Sequence, residues 1–240
     1  MKLRPLVAAT FLPVLLCAVP SHAASPGSAR PGESVVIEGS QCTQAFIVQD
    51  KRSHRRFEFT AGHCMPGNGA VVDSDAQHTW PRGRGPLAVD SSKRLIGSAV
   101  YSYVAGNEDF ALIELASGVR ADATVPSLGG VQGVDTHRYE NPELVDMYGQ
   151  GLVVGQVAPG RSLLASPSTD GSTTTLEATG PAAPIDSGAP VVSRTHLAIG
   201  MIIGGNVGVS PPGDVVIVRL GPALDRADRV LKLQLMLVRS

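Results

Sequence analysis

From Ser34 to Leu220 the chain is a succession of short runs in which β-branched or aromatic residues alternate with small or polar ones, broken by Gly, Asn, Asp and Pro. Such runs fit a pleated, half-buried surface, and no helical period survives in the first half. The first series predicts strands at Ser34–Ile37, Ala45–Val48, Arg56–Thr60, Ala70–Val72, Leu95–Val104 and Phe110–Leu115. A crossing segment from about Asp122 to Pro142 follows, interrupted by Pro126, Gly129, Gly130 and Gly133. The second series begins near Leu144 and continues with Leu152–Val157, Ser162–Ala165, Thr173–Thr179, Pro190–Val192, Ala198–Ile203 and Val215–Leu220. The pattern then changes. From Gly221 to Val238, Leu224, Val230, Leu231, Leu235 and Val238 keep an approximate helical stripe behind Pro222, a residue suited to a first helical turn. Strand series, linker, strand series and helix together predict an all-β fold of two β-barrels in tandem. The boundaries read as 34–120 for the N-terminal barrel, 121–142 for the linker, 143–220 for the C-terminal barrel and 221–240 for the helix.

The residues ahead of Ser34 stand outside this pattern. Lys2 and Arg4 precede an apolar stretch from Leu6 to Val19, and Ser21-His22-Ala23 offers small residues for cleavage. Residues 1–23 therefore read as a secretory signal peptide cleaved near Ala23. The apolar stretch is too short for a comfortable membrane span. Cys17 suggests a lipoprotein, but Leu16 stands where a lipid-attachment motif needs a small residue. Residues 24–33, rich in Ser, Pro, Gly and Ala, are expected to form a flexible tail.

Export changes the charge and the cysteine count. Removing residues 1–23 takes Lys2 and Arg4 from 20 basic and 21 acidic side chains, which leaves a formal charge of −3. A weakly acidic chain offers no electrostatic footprint for nucleic acid or an anionic membrane. The local cluster of Arg52, His54, Arg55 and Arg56 reads as a solvated loop. Two cysteines remain, Cys42 and Cys64, and an even pair in an exported protein reads as a disulfide. Closing that loop stabilises a fold by about 3 kcal/mol on the chain-entropy account. A zinc site of Cys42, His63 and Cys64 is the rival reading, although adjacent His63 and Cys64 lack the usual paired-ligand spacing. No cofactor and no metal are expected.

Three segments carry the candidate chemistry: Thr60-Ala61-Gly62-His63-Cys64, Asp109-Phe110-Ala111-Leu112 and Asp186-Ser187-Gly188-Ala189-Pro190. A serine hydroxyl is a poor nucleophile until a base takes its proton, and an imidazole held in one tautomer by a carboxylate is such a base. His63, Asp109 and Ser187 would supply base, orienter and nucleophile. Each alone is equally a turn residue. Together they occur in the order His, Asp, Ser, which differs from the orders used by other serine hydrolase folds. His54, His78, His137 and His196 have no comparable setting.

These segments, with Cys42, make the chain resemble chymotrypsin-fold serine endopeptidases, and among them the short secreted bacterial, streptogrisin-like members. The resemblance covers most of residues 34–238. It implies two tandem Greek-key six-stranded antiparallel β-barrels with a C-terminal helix, a catalytic triad, a polypeptide substrate and a monomer. It also implies an oxyanion hole made by the backbone N–H groups of Ile185 and Ser187. Here the chain departs from the family, which has glycine where Ile185 stands. A β-branched residue resists positive φ, so the peptide is expected to be turned the wrong way at rest and activity to be slow or conditional. The cysteine common just before this loop is replaced by Ala182, Ala183 and Pro184.

The resemblance further implies two walls of a substrate site. Ile203-Gly204-Gly205 matches the segment that pairs with an extended substrate, with Ile203 in place of a common serine. Gly180, Pro181 and Ala182 form the other wall and carry no carboxylate, so a small or hydrophobic side chain is the expected preference. Asp214, were it to enter the pocket, would reverse that. Asp186 is expected to pair with an internal arginine, either Arg138 or Arg161. A catalytically weakened protease-fold binding protein of the cell envelope or extracellular space is the alternative, suggested by Ile185 and Ile203.

Overall fold

The structure, a computed structural model, describes residues 26–66, 76–153, 156–157, 159–205 and 214–240. The signal segment 1–23 and the expected strand at 70–72 lie outside the described residues. The principal strands of the N-terminal half are β1 (Ser34–Ile37), β2 (Ser40–Thr43), β3 (Ile47–Asp50), β4 (Arg56–Thr60), β5 (Leu87–Asp90), β6 (Leu95–Ala105) and β7 (Glu108–Leu115). Those of the C-terminal half are β8 (Glu143–Tyr148), β9 (Gly160–Pro167), β10 (Thr175–Thr179), β11 (Pro190–Ser193), β12 (Leu197–Gly205) and β13 (Asp214–Arg219). Helix α1 (Leu220–Leu231) and a short strand β14 (Leu235–Leu237) end the chain.

In the C-terminal half the order β12-β11-β8-β9-β10-β13 closes on itself through β12–β13 pairing, giving a six-stranded antiparallel Greek-key barrel. The N-terminal sheet runs β14-β3-β4-β7-β6-β5-β1-β2 and remains an open half-barrel. Its seam is bridged where the Ala45 N–H donates to Phe59 O at 2.8 Å and the Phe59 N–H to Phe46 O at 3.0 Å. Alternation explains the layers. Along β9, Arg161, Leu163 and Ala165 are buried while Ser162 and Leu164 face out. Val35, Ile37, Ile47, Ile96 and Ile113 fill the N-terminal half. Val145, Met147, Leu163, Val191 and Ile217 fill the C-terminal barrel. A third cluster joins the halves, with Phe57, Phe59, Tyr101 and Phe110 meeting Val192, Ala198, Met201 and Val218.

Two expectations are corrected. Residues 28–33 are not a flexible tail. Ser28–Ala29 pairs in parallel with Arg120–Ala121, Ala29 is fully buried, and the Gly32 N–H donates to Gln44 O at 2.7 Å. The Gln150 amide reaches Gly32 O at 2.6 Å, so this segment also touches the C-terminal half. The helix stops at Leu231 rather than running through 240. Lys232 takes φ 56° and its N–H caps Asp228 O, which turns the chain back as β14. Leu235–Leu237 then pairs with Val48–Asp50, so the last residues belong to the N-terminal sheet. Helix α1 packs through Leu220, Ala223, Leu224 and Ala227 into the cluster between the halves. No helix among the described residues is long and apolar enough to cross a membrane.

Candidate active site

The base candidate sits in a single 3₁₀ turn, Gly62–Cys64, at the end of β4. Glycine at 62 has a spatial cause: a Cβ there would lie 2.7 Å from Tyr103 O, 2.9 Å from Phe110 O and 2.8 Å from Asp109 Oδ1. The close approach lets one carboxylate hold His63 at two points. Asp109 Oδ1 accepts the His63 backbone N–H at 2.8 Å, and Asp109 Oδ2 lies 2.5 Å from His63 Nδ1. Asp109, near the start of β7, is almost wholly buried, whereas the His63 side chain keeps 22% of its surface exposed. A carboxylate at Nδ1 fixes the tautomer with its proton there and leaves Nε2 as the acceptor. From helix α1, Arg226 reaches Glu108 at 3.1 Å and lies 4.0 Å from the Tyr103 ring centre, which braces the strand ends around Asp109.

Ser187 lies in the turn between β10 and β11, and its Oγ is 2.9 Å from His63 Nε2. The structure thus brings His63, Asp109 and Ser187 together although 124 residues separate the first from the last. Cys42 and Cys64 are joined as a disulfide with Cα atoms 6.4 Å apart, tying the His63 turn to β2. Those two sulfurs and a His63 nitrogen do lie within 4.8 Å of one another, but the sulfurs are bonded to each other and are not thiolate ligands.

Ile185 takes φ 78°. The expectation that a β-branched residue would refuse this conformation is therefore corrected, and the reason is the packing around it. Asp186 is fully buried, its Oδ1 accepting the Gly151 N–H and its Oδ2 the Ala183 N–H, each at 2.8 Å. Both oxygens also meet the Arg161 guanidinium, at 2.5 Å and 2.6 Å. Of the two expected partners Arg161 is the one used, while Arg138 is exposed. The Thr43 hydroxyl donates to Ile185 O at 2.6 Å, and the Thr43 N–H to Ser187 O at 2.8 Å. Among the described residues neither the Ile185 nor the Ser187 N–H donates to a protein acceptor. Backbone strain of this kind costs about 1–3 kcal/mol and persists only where neighbours over-determine it.

Glycine follows Ser187 for the same kind of reason as at 62. Gly188 has φ 92°, and a Cβ there would lie 2.1 Å from Thr43 O and 2.6 Å from Thr60 Oγ1. Its N–H donates to Ile202 O at 2.6 Å, and the Ile202 N–H returns to Ala189 O at 3.0 Å, which locks the serine turn to β12. The next residues of β12 are the expected substrate wall. Ile203 is half-buried against the N-terminal and inter-barrel clusters, and a Cβ on Gly204 would meet nothing within 4 Å. Gly205 pairs with Val215. On the other wall, Pro181 O accepts from Arg161 Nη1 at 3.2 Å and Ala182 packs on the C-terminal core. A Cβ at Gly180 would lie 2.5 Å from Leu163 Cδ2. The Asp214 side chain lies outside the described residues.

No family model matches the sequence, and no curated protein does. Solved structures match over nearly the whole chain. One is a glutamic-acid-specific serine protease described as using a histidine triad in substrate binding, 16% identical, with 88% of this chain and 100% of that one covered at a TM-score of 0.58. The chain has the chymotrypsin fold. Thermobifida fusca protease A matches at 18% identity over 89% of this chain and 100% of its own, with a TM-score of 0.56. Cellulomonas bogoriensis chymotrypsin matches at 19% identity over 89% and 100%, with a TM-score of 0.55. Within this fold His63 and Asp109 of the N-terminal half meet Ser187 of the C-terminal half.

Proposed function

We propose that the protein is a secreted serine endopeptidase that cleaves polypeptides through an acyl-enzyme. The observation that supports this most directly is the unbroken line from Asp109 Oδ2 to His63 Nδ1 and from His63 Nε2 to Ser187 Oγ. His63 takes the Ser187 proton as Oγ attacks the scissile carbonyl, then gives it to the departing amine. Asp109 keeps its charge throughout and stabilises the imidazolium. Water, deprotonated by the same imidazole, attacks the acyl-enzyme and frees Ser187. The N–H groups of Ile185 and Ser187 receive the negative charge on the carbonyl oxygen, a contribution of about 3–4 kcal/mol per donor. Strain at Ile185 makes this hole conditional on its neighbours, which supports slow turnover. Export rests on Lys2, Arg4 and the apolar run before Ala23, and on a disulfide that suits an oxidising compartment.

The side chain ahead of the cleaved bond is small or apolar in this reading, because Gly180, Pro181 and Ala182 present no charge. A peptide library and simple esters incubated with the mature protein and with its Ser187→Ala variant test the proposal. Cleavage after small or apolar residues by the first alone supports it. Equal cleavage by both, or by neither, contradicts it, and ester turnover without peptide cleavage reassigns the enzyme as an esterase.

A further inference from the structure

Thr43 stands one residue beyond Cys42 at the end of β2 and is fully buried. Its main-chain and side-chain polar groups all serve the candidate site. The N–H donates to Ser187 O at 2.8 Å, the hydroxyl donates to Ile185 O at 2.6 Å, and the carbonyl accepts from Thr60 Oγ1 at 2.9 Å. The first and third bonds need only the Thr43 backbone. The second depends on the side chain, and it falls on the carbonyl of the one residue in the serine turn that is β-branched and at φ 78°.

That placement has a mechanical consequence. The Ile185 carbonyl belongs to the peptide plane that follows Ile185, and the Ile185 N–H to the plane that precedes it. With the following plane pinned through its oxygen, and Asp186 anchored by Arg161, the Ile185 Cα from which the N–H is aimed is held in place. Released from Thr43, Ile185 relieves its positive φ by shifting its Cα and turning both planes, which carries the N–H away. A glycine at 185 populates positive φ without such help.

We propose that Thr43 is a positioning residue whose hydroxyl latches the Ile185 carbonyl, so that this chain keeps its oxyanion donor aimed with a side-chain bond across the two halves in place of a glycine. The inference rests on the protease reading and deepens it. Thr43 touches no reacting atom; it acts through Ile185.

A double-mutant cycle tests it, read as the second-order rate at which a fluorophosphonate labels Ser187, with thermal unfolding measured alongside. Thr43→Val keeps the shape and removes the hydroxyl, and it slows labelling by about tenfold or more. Thr43→Ser restores the rate to within about threefold. In an Ile185→Gly background Thr43→Val slows labelling by less than about threefold, because glycine no longer needs the latch. A structural role alone would give the same loss in both backgrounds and overturns the inference, as does a Thr43→Val protein that labels like wild type. Should Thr43→Val fail to fold, failure of Thr43→Ser to retain the rate contradicts the latch. A wild-type protein that does not label removes the protease reading and the latch with it, an outcome distinct from normal wild-type labelling beside an unaffected Thr43→Val.

Discussion

Arg161 and Asp186, the residue immediately before Ser187, meet as a two-pronged ion pair that is almost wholly inaccessible to water, with side-chain exposures of 4% and 1%. Both Asp186 oxygens are further held by backbone N–H groups of Gly151 and Ala183. Removing one member of such a pair strands a buried charge, at a cost of about 3–5 kcal/mol. Arg161→Met is therefore expected to lose about that much stability in chemical denaturation. It should also lose labelling at Ser187 under conditions where the protein is still folded, because the turn that carries the serine is organised on Asp186.

Ile185→Gly should move in the opposite direction for activity. Relief of about 1–3 kcal/mol of strain is offset by the greater freedom of glycine in the unfolded chain, so stability stays within about 1 kcal/mol of wild type. The rate of ester hydrolysis rises, since the oxyanion donor no longer depends on a strained residue. Steady-state kinetics on p-nitrophenyl esters measures this, and a lower rate for the glycine variant contradicts it.

Gly188→Ala should be severe. The added methyl group would sit 2.1 Å from Thr43 O at φ 92°, and backbone is the atom in the way. A loss of more than about 3 kcal/mol, or failure to fold, is expected from denaturant titration.

Asp50 and Glu58 contribute to the pH dependence of stability with opposite signs. Asp50 accepts from Ser53 Oγ, the Ser53 N–H and the Gln234 N–H, and the Ser53 hydroxyl above all lowers its pKa from 3.8 to about 2. The stability it contributes is present above pH 3.8 and is lost as pH falls through about 2, so Asp50→Asn flattens the acid limb of the melting curve. Glu58 is fully buried, with neither oxygen hydrogen-bonded among the described residues. Burial, aided by the charge of Glu33, pushes its carboxyl well above the ordinary 4.5. It keeps its proton in the fold where the unfolded chain has lost it, so stability falls as pH rises from 4.5 toward the folded value. Glu58→Gln is expected to melt above wild type at about pH 8, with the difference closing at about pH 4.

Much of this architecture is legible in the residues themselves, and the gaps have physical causes. Arg56–Thr60 alternates strongly and Ser34–Ile37 is mostly β-branched, and both form strands with those bounds. Ser40–Thr43 is mostly polar, and only its partner Ser34–Ile37 makes it a strand. The apolar residues of Leu235–Leu237 continue the helical stripe, and no glycine marks the stop that Lys232 makes in the left-handed conformation. Arg161 could have been chosen over Arg138 from pattern alone, since it shares the inward phase of Leu163 and Ala165 on β9. The approach of His63, Asp109 and Ser187 follows from segments whose local context already suits them. Thr43 gives no such signal, because its hydroxyl finds Ile185 only across 142 residues of chain.

The central claim is that the imidazole at 63 makes the hydroxyl at 187 nucleophilic. Intact-protein and peptide mass spectrometry after exposure to a fluorophosphonate measures it most directly. A single adduct on Ser187, absent from Ser187→Ala and strongly reduced in His63→Ala, is the expected result. No adduct on the folded wild-type protein, or an adduct that forms equally fast without His63, would contradict it.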